Sequence, residues 1–129
     1  MKTHKGMKQA IKILLVDDEQ DFLDVFGAIL DMDGAETSFA HGYNEALDLF
    51  EKNEYDIVIT DYSMPGWDGL YLLDMIKSQK PDMPVIIVSN YLNDEKTRKA
   101  YRMKADWVLK KQFAYEELLA GIQRLLRKK

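Results

Sequence analysis

Apolar residues along this chain come in short, evenly spaced blocks, separated by longer stretches with helical periodicity. Residues 11–16 (IKILLV) form a leucine-rich, β-branched run of the kind that fills a buried parallel strand. Phe22, Val25, Phe26, Ile29 and Leu30 then recur at three- and four-residue spacing, and Asp33-Gly34 closes that helix. A weaker strand is predicted over 36–40. Ala46, Leu47 and Phe50 mark one face of a second helix. Residues 56–60 (DIVIT) are the next buried-type strand, followed by a turn at Met64-Pro65-Gly66. Leu70, Leu73 and Ile76 line a helix that stops before Pro81, and 84–88 (PVIIV) is the fourth strand. A charged, exposed helix is predicted over 93–104, a fifth strand over 107–109, and a last helix lined by Leu118, Leu119, Ile122, Leu125 and Leu126.

Five βα units imply an α/β domain: a parallel sheet with helices on both faces, because parallel strands need crossover connections. Right-handed crossovers then give a doubly wound, five-stranded, flavodoxin-like (βα)5 sheet with expected strand order 2-1-3-4-5. With 129 residues, one domain is expected over 10–129, preceded by a basic tail over 1–9. No apolar run approaches the ~20 residues that span a bilayer, and no signal-peptide core is visible, so a cytoplasmic location without membrane contact is expected. Zero cysteines exclude disulfide frameworks, thiolate metal sites and cysteine nucleophiles; two histidines leave little for a histidine-based centre.

The net charge of −4 hides two opposed regions. Between Asp17 and Asp61 there are fourteen acids and one base, Lys52; between Lys96 and Lys129 there are eleven bases and three acids. In doubly wound sheets chemistry sits at the carboxyl ends of the strands, near the point where strand order reverses. Those ends carry Asp17-Asp18-Glu19, Asp61, Ser89 and Lys110-Lys111. Strands one and three are neighbours in the expected order, so Asp17, Asp18 and Asp61 converge there. Three close carboxylates repel one another unless protonated or joined by a cation, and hard oxygen ligands suit Mg²⁺. A carboxylate beside Mg²⁺ can attack a phosphoryl group to give an acyl phosphate, with Ser89 and Lys111 as partners for the phosphoryl oxygens. Each signal has a plainer reading: paired acids after a strand often cap the next helix, and a lone Asp, Ser or Lys at a strand end is often a turn or surface group. Their joint occurrence at successive strand ends favours the chemical reading.

The segments ILLVDDEQDF, DIVITDYSMPGWDGL, PVIIVSN and KADWVLKKQF resemble the receiver domain of two-component response regulators, of the chemotaxis-regulator type, and the likeness runs from about residue 12 to the C-terminus. The resemblance implies that Asp61 is the phosphoacceptor and that Asp17 and Asp18 hold Mg²⁺ with it, aided by the backbone carbonyl of Ser63. Ser89 matches the switch hydroxyl. Lys111 matches the family's lysine because it lies two residues before Phe113; Lys110 fits less well. Pro65, Gly66 and Gly69 match the supporting turn. Three positions depart from the family pattern. Gln112 replaces the proline that follows the lysine, so a trans bond is expected. Asn90 follows the switch hydroxyl where a small residue is usual. Val108 stands at the aromatic switch position, so no ring can rotate there.

The resemblance further implies a single-domain phosphoacceptor, not an enzyme in the ordinary sense, whose partners are a sensor histidine kinase or phosphotransfer domain and a downstream protein. The kinase side is expected to meet the first helix and the loops around the site, with Gln20 and Phe22 as contacts, Phe22 fitting the core equally well. The target is expected at the last helix–strand–helix segment with Lys96, Arg98, Lys99, Arg102 and Lys104, whose plainer reading is a solvated charged helix. Direct nucleic-acid binding is not expected. The departures leave two alternatives open: a binding module independent of phosphorylation, or a receiver cut from a longer regulator or hybrid kinase. A flavin site is disfavoured because DDEQD would repel its phosphate, and a haloacid-type phosphatase because Asp-x-Asp is missing after the first strand.

Overall fold

The computed structural model describes residues 10–64 and 67–127; the basic segment 1–9, Pro65 and Gly66 lie outside the described residues. Five strands, β1 (Lys12–Val16), β2 (Glu36–Ala40), β3 (Ile57–Asp61), β4 (Val85–Ser89) and β5 (Trp107–Lys110), alternate with helices α1 (Gln20–Met32), α2 (Tyr43–Lys52), α3 (Gly69–Gln79), α4 (Asp94–Arg102) and α5 (Tyr115–Arg127). The strands pair in parallel in the order β2-β1-β3-β4-β5, the expected doubly wound arrangement.

The continuous apolar runs follow from burial on both faces of the sheet. Successive side chains of a strand point to opposite faces. Leu14, Val16, Val58, Val85 and Ile87 pack with Phe50, Leu72, Leu73, Ile76 and Ala100 of α2, α3 and α4. Ile13, Leu15, Ile57, Ile59, Ile86 and Val88 pack with Leu23, Phe26 and Leu30 of α1 and Leu118 and Ile122 of α5. β2 is an edge strand whose residues are mostly half-buried or exposed, which explains its weak sequence signal. Among the described residues no helix is long and apolar enough to cross a membrane.

Strand limits are set by pairing as well as hydropathy. Asp56, expected inside the third strand, lies before it: its carboxylate accepts the Lys12 N–H at 2.9 Å, and its own N–H donates to the Lys12 carbonyl. β3 instead extends to Asp61 and β4 to Ser89, which carries both polar side chains into the sheet's end. After Asp61 the chain forms a short antiparallel ladder, Ser63–Met64 with Trp67–Asp68, where the sequence predicted only a turn. α1 ends as expected at Gly34, whose φ of 95° is the left-handed conformation that glycine accepts without strain.

Two helical glycines accommodate aromatic rings from the edge strands. A Cβ on Gly121 of α5 would lie 2.0 Å from Trp107 Cζ3, and one on Gly27 of α1 would lie 2.4 Å from Phe39 Cε1. Trp107 packs with the α1/α5 core and also carries the Arg124 guanidinium, 5.5 Å from its ring centroid, whereas Phe39 is exposed. Gly121→Ala is therefore expected to destabilise by about 1–2 kcal/mol, overpacking outweighing the gain in helix propensity. Gly27→Ala, where the ring can swing outward, is expected to be neutral or slightly stabilising. Thermal melts of the two variants should differ in sign or clearly in size.

Candidate functional site

Because β1 and β3 are neighbours and run in the same direction, Asp17, Asp18 and Asp61 meet at one end of the sheet. Each offers a carboxylate oxygen, and the three oxygens lie within 4.8 Å of one another. Asp17 is fully buried, Asp61 is 6% exposed, and Asp18 is exposed. Neither acid of the pair caps α1. The N-cap is Glu19, without a side-chain cap bond, and Asp17 Oδ1 instead accepts the Glu19 N–H at 2.9 Å. Capping, the plainer reading of this pair, is set aside by that geometry.

Lys111, the residue that follows β5, completes the cluster. Its N–H donates to the Ser89 carbonyl at 2.9 Å, which extends the β4–β5 pairing past Lys110 and aims the side chain inward. Its Nζ lies 2.7 Å from Asp17 Oδ2, 2.5 Å from Glu19 Oε1 and 3.3 Å from Asp61 Oδ2. The Phe22 ring covers the same ammonium, 4.6 Å from centroid to Nζ. Lys110, by contrast, is exposed. Among the described residues no peptide bond is cis, so Gln112 follows Lys111 in the expected trans linkage.

The electrostatics follow from burial and charge. Burial pushes the Asp17 carboxyl above its ordinary value, outweighing the opposing help from Lys111 and from the Glu19 N–H. Burial acts on Lys111 in the opposite direction, but its hydrogen bonds to Asp17 and Glu19 and the charge of Asp61 overcome it and hold the ammonium above the ordinary lysine range. Asp17 Oδ2 is buried, and its near neighbour is the Lys111 ammonium at 2.7 Å. A buried carboxylate oxygen whose partner is an ammonium, with two further carboxylate oxygens within 4.8 Å, is hard donor chemistry of the kind a divalent cation takes, so these residues fit Mg²⁺.

Because the folded Asp17 binds a proton more readily than the unfolded one, its contribution to stability is lost as pH rises through its raised pKa. Without divalent metal, Asp17→Asn is expected to melt higher than the wild type at neutral pH. That advantage should shrink as pH falls toward the ordinary carboxylate range, a trend that melting curves across pH would read directly.

Ser89 ends β4, one residue past Val88, the partner of Asp61 in the sheet, and is 4% exposed. Its hydroxyl donates to the Tyr91 carbonyl at 3.4 Å and accepts the Tyr91 N–H at 3.2 Å, so it is engaged with the loop that Asn90 begins. Ser63 lies two residues past Asp61, in the short ladder. Gln20 bonds Asp24 and the His41 ring, tying α1 to the β2–α2 loop, and the Phe22 ring packs at a tilt against Phe26 as well as covering the Lys111 ammonium. Of the bases expected on the target-facing helix, Lys96 lies over the Tyr62 ring at 5.6 Å, while Arg98, Lys99, Arg102 and Lys104 are exposed.

Two contacts had no sequence signal of their own. The Glu19–Lys111 pair joins residues 92 positions apart. The Tyr101 hydroxyl on α4 accepts the Val108 N–H at 3.0 Å, placing an aromatic against β5 where position 108 has none.

The fold and this site define an α/β domain of the doubly wound class, with an acid cluster and a lysine at the switch in strand order. The chain belongs to the response regulator receiver domain family of two-component systems, whose sequence model matches residues 13–123. It is 33% identical over 118 residues to response regulator MprA of Mycobacterium sp. (strain KMS), covering 92% of this chain and 51% of that protein. The chain thus spans about half the length of the curated relatives it matches. Among solved structures it is similar to a CheY-like receiver domain protein from Methanospirillum hungatei JF-1, with a TM-score of 0.88 and 28% identity, covering 93% of this chain and 96% of that one. It is also similar to the receiver domain of NtrX from Brucella abortus, with a TM-score of 0.85 and 35% identity, covering 91% and 99%.

Proposed function

We propose that the domain is a phosphoacceptor: Asp61 takes a phosphoryl group from the phosphohistidine of a sensor histidine kinase or phosphotransfer domain. The observation that carries this reading is the Lys111 ammonium 3.3 Å from Asp61 Oδ2, inside a trio of converging carboxylates. In the transfer, an Asp61 carboxylate oxygen attacks phosphorus, the phosphorus–nitrogen bond to the donor imidazole breaks, and an acyl phosphate forms. Asp17, Asp18 and Asp61, with the Ser63 carbonyl, would hold Mg²⁺, which when bound offsets negative charge on the transferring group. Lys111 pairs with one phosphoryl oxygen, and Ser89 leaves Tyr91 to donate its hydroxyl proton to another. The domain promotes a reaction on its own side chain and has no separate substrate to turn over, so it is not classed as an enzyme.

Output is a population shift read by a protein partner at the α4–β5–α5 face. New contacts of Ser89 and Lys111 form in one conformation only, and a differential of about 5 kcal/mol inverts a two-state equilibrium almost completely. Without a ring at Val108, the link from β4 to that face runs through α4, where Tyr101 bonds the β5 backbone and Lys96 lies over Tyr62, the neighbour of Asp61. Val108 also favours a second reading, a partner-binding module that needs no phosphorylation.

Incubation with a small-molecule phosphodonor and Mg²⁺, followed by intact mass measurement and peptide mapping, separates the two. A Mg²⁺-dependent adduct on Asp61 is expected. Its absence would overturn the phosphoacceptor reading.

A further inference from the structure

We infer that Glu19 is a positioning residue for this phosphoryl chemistry, the counter-ion that keeps the Lys111 ammonium aimed at Asp61. This rests on the phosphoacceptor reading of Asp61. Three carboxylates surround Lys111 Nζ: Glu19 at 2.5 Å, Asp17 at 2.7 Å and Asp61 at 3.3 Å. Asp17 and Asp61 belong to the trio that suits a divalent cation, and Asp61 is the group that would carry the phosphoryl. Glu19 is the member of this set outside the trio.

Lysine is a point charge on a flexible four-carbon stem, so its direction must come from its surroundings. The backbone bond to Ser89 sets where the stem begins, and the Phe22 ring covers the ammonium. With the charges of Asp17 and Asp61 shared with a metal and a phosphoryl group, Glu19 is the carboxylate among the described residues that stays committed to Nζ. Glu19 is itself held, through its N–H to Asp17 Oδ1, at the N-terminal boundary of α1. Its side chain is 52% exposed whereas that of Lys111 is 6% exposed, so it closes the solvent side of the ammonium while adding little to the core. Glu19→Gln therefore removes a restraint on the lysine and leaves the trio and the fold in place.

The test uses the whole chain and two titrations by calorimetry: Mg²⁺ alone, and beryllofluoride, a phosphoryl mimic, at saturating Mg²⁺. Glu19→Gln is expected to weaken beryllofluoride binding about tenfold, a change of about 1.4 kcal/mol. It should leave Mg²⁺ affinity within about threefold and the melting temperature nearly unchanged. A structural role would shift both titrations together; an effect through Lys111 shifts the second selectively. Beryllofluoride binding equal to that of the wild type overturns the inference, as does an equal loss in both titrations. If the wild type itself binds no beryllofluoride with Mg²⁺, the phosphoacceptor reading falls and this inference with it.

Discussion

Asp61→Asn is expected to abolish the Mg²⁺-dependent phosphoryl adduct, lowering its rate of formation by at least about a hundredfold. The reaction needs a carboxylate oxygen with charge to donate, and the amide that replaces it is a poor nucleophile. The substitution also removes one of three acids whose oxygens lie within 4.8 Å, so mutual repulsion falls while the Lys111 contact at 3.3 Å weakens. These opposed effects leave the fold close to wild type in stability, so loss of the adduct will report chemistry. Intact mass after incubation with phosphodonor and Mg²⁺ reads the outcome. An undiminished adduct on Asp61→Asn would place the acceptor at another residue.

The second large effect is on stability. Lys111→Met retains the apolar stem beneath Phe22 but removes the cation that faces buried Asp17 and Asp61. Removing one partner of a buried ion pair costs about 3 kcal/mol, because the remaining charge stays desolvated. Half-exposed Glu19 adds little to that figure. Without metal the variant is expected to melt about 10 °C lower than the wild type. Mg²⁺ should then stabilise the variant more than the wild type, since a cation that binds only the folded state adds stability that grows with the logarithm of its affinity. Melting curves with and without Mg²⁺ check both statements. Equal metal-free melting of variant and wild type would show that the lysine is not the counter-ion of the buried acids.

These two effects differ in how far they could be anticipated. Asp61 was legible because a β-branched run, DIVIT, leads straight into it, and a strand's carboxyl end is where doubly wound sheets place their chemistry. Assigning Lys111 over Lys110 rested on its spacing to Phe113. The structure gives the physical reason: Lys111 N bonds the Ser89 carbonyl and its side chain turns inward, while Lys110 stays at the surface. The cap-or-ligand ambiguity of Asp17 and Asp18 could not be resolved from the chain, because both roles use the same residues at the same place. Burial and the 2.9 Å bond from Glu19 N to Asp17 Oδ1 set the capping role aside.

Edge effects were less legible still. The sequence marks β2 only weakly, since an edge strand lacks the two-sided burial that writes a continuous apolar run. Tyr101 reads as one more residue of a charged helix, yet its hydroxyl satisfies a backbone donor of β5, the other edge. Phe22, expected either to meet a kinase or to fill the core, packs at a tilt against Phe26 and lies over the lysine of the site.

By itself, the sequence determined the number and order of elements, the doubly wound sheet and the convergence of Asp17, Asp18 and Asp61. Periodicity records burial, and chain topology dictates which strand ends are neighbours. Only the tertiary structure decided which lysine enters the site, which carboxylates hold it, and how α4 is tied to β5. Those outcomes depend on contacts such as Glu19 to Lys111, between residues 92 positions apart, and no local pattern along a chain encodes the distance between two such side chains.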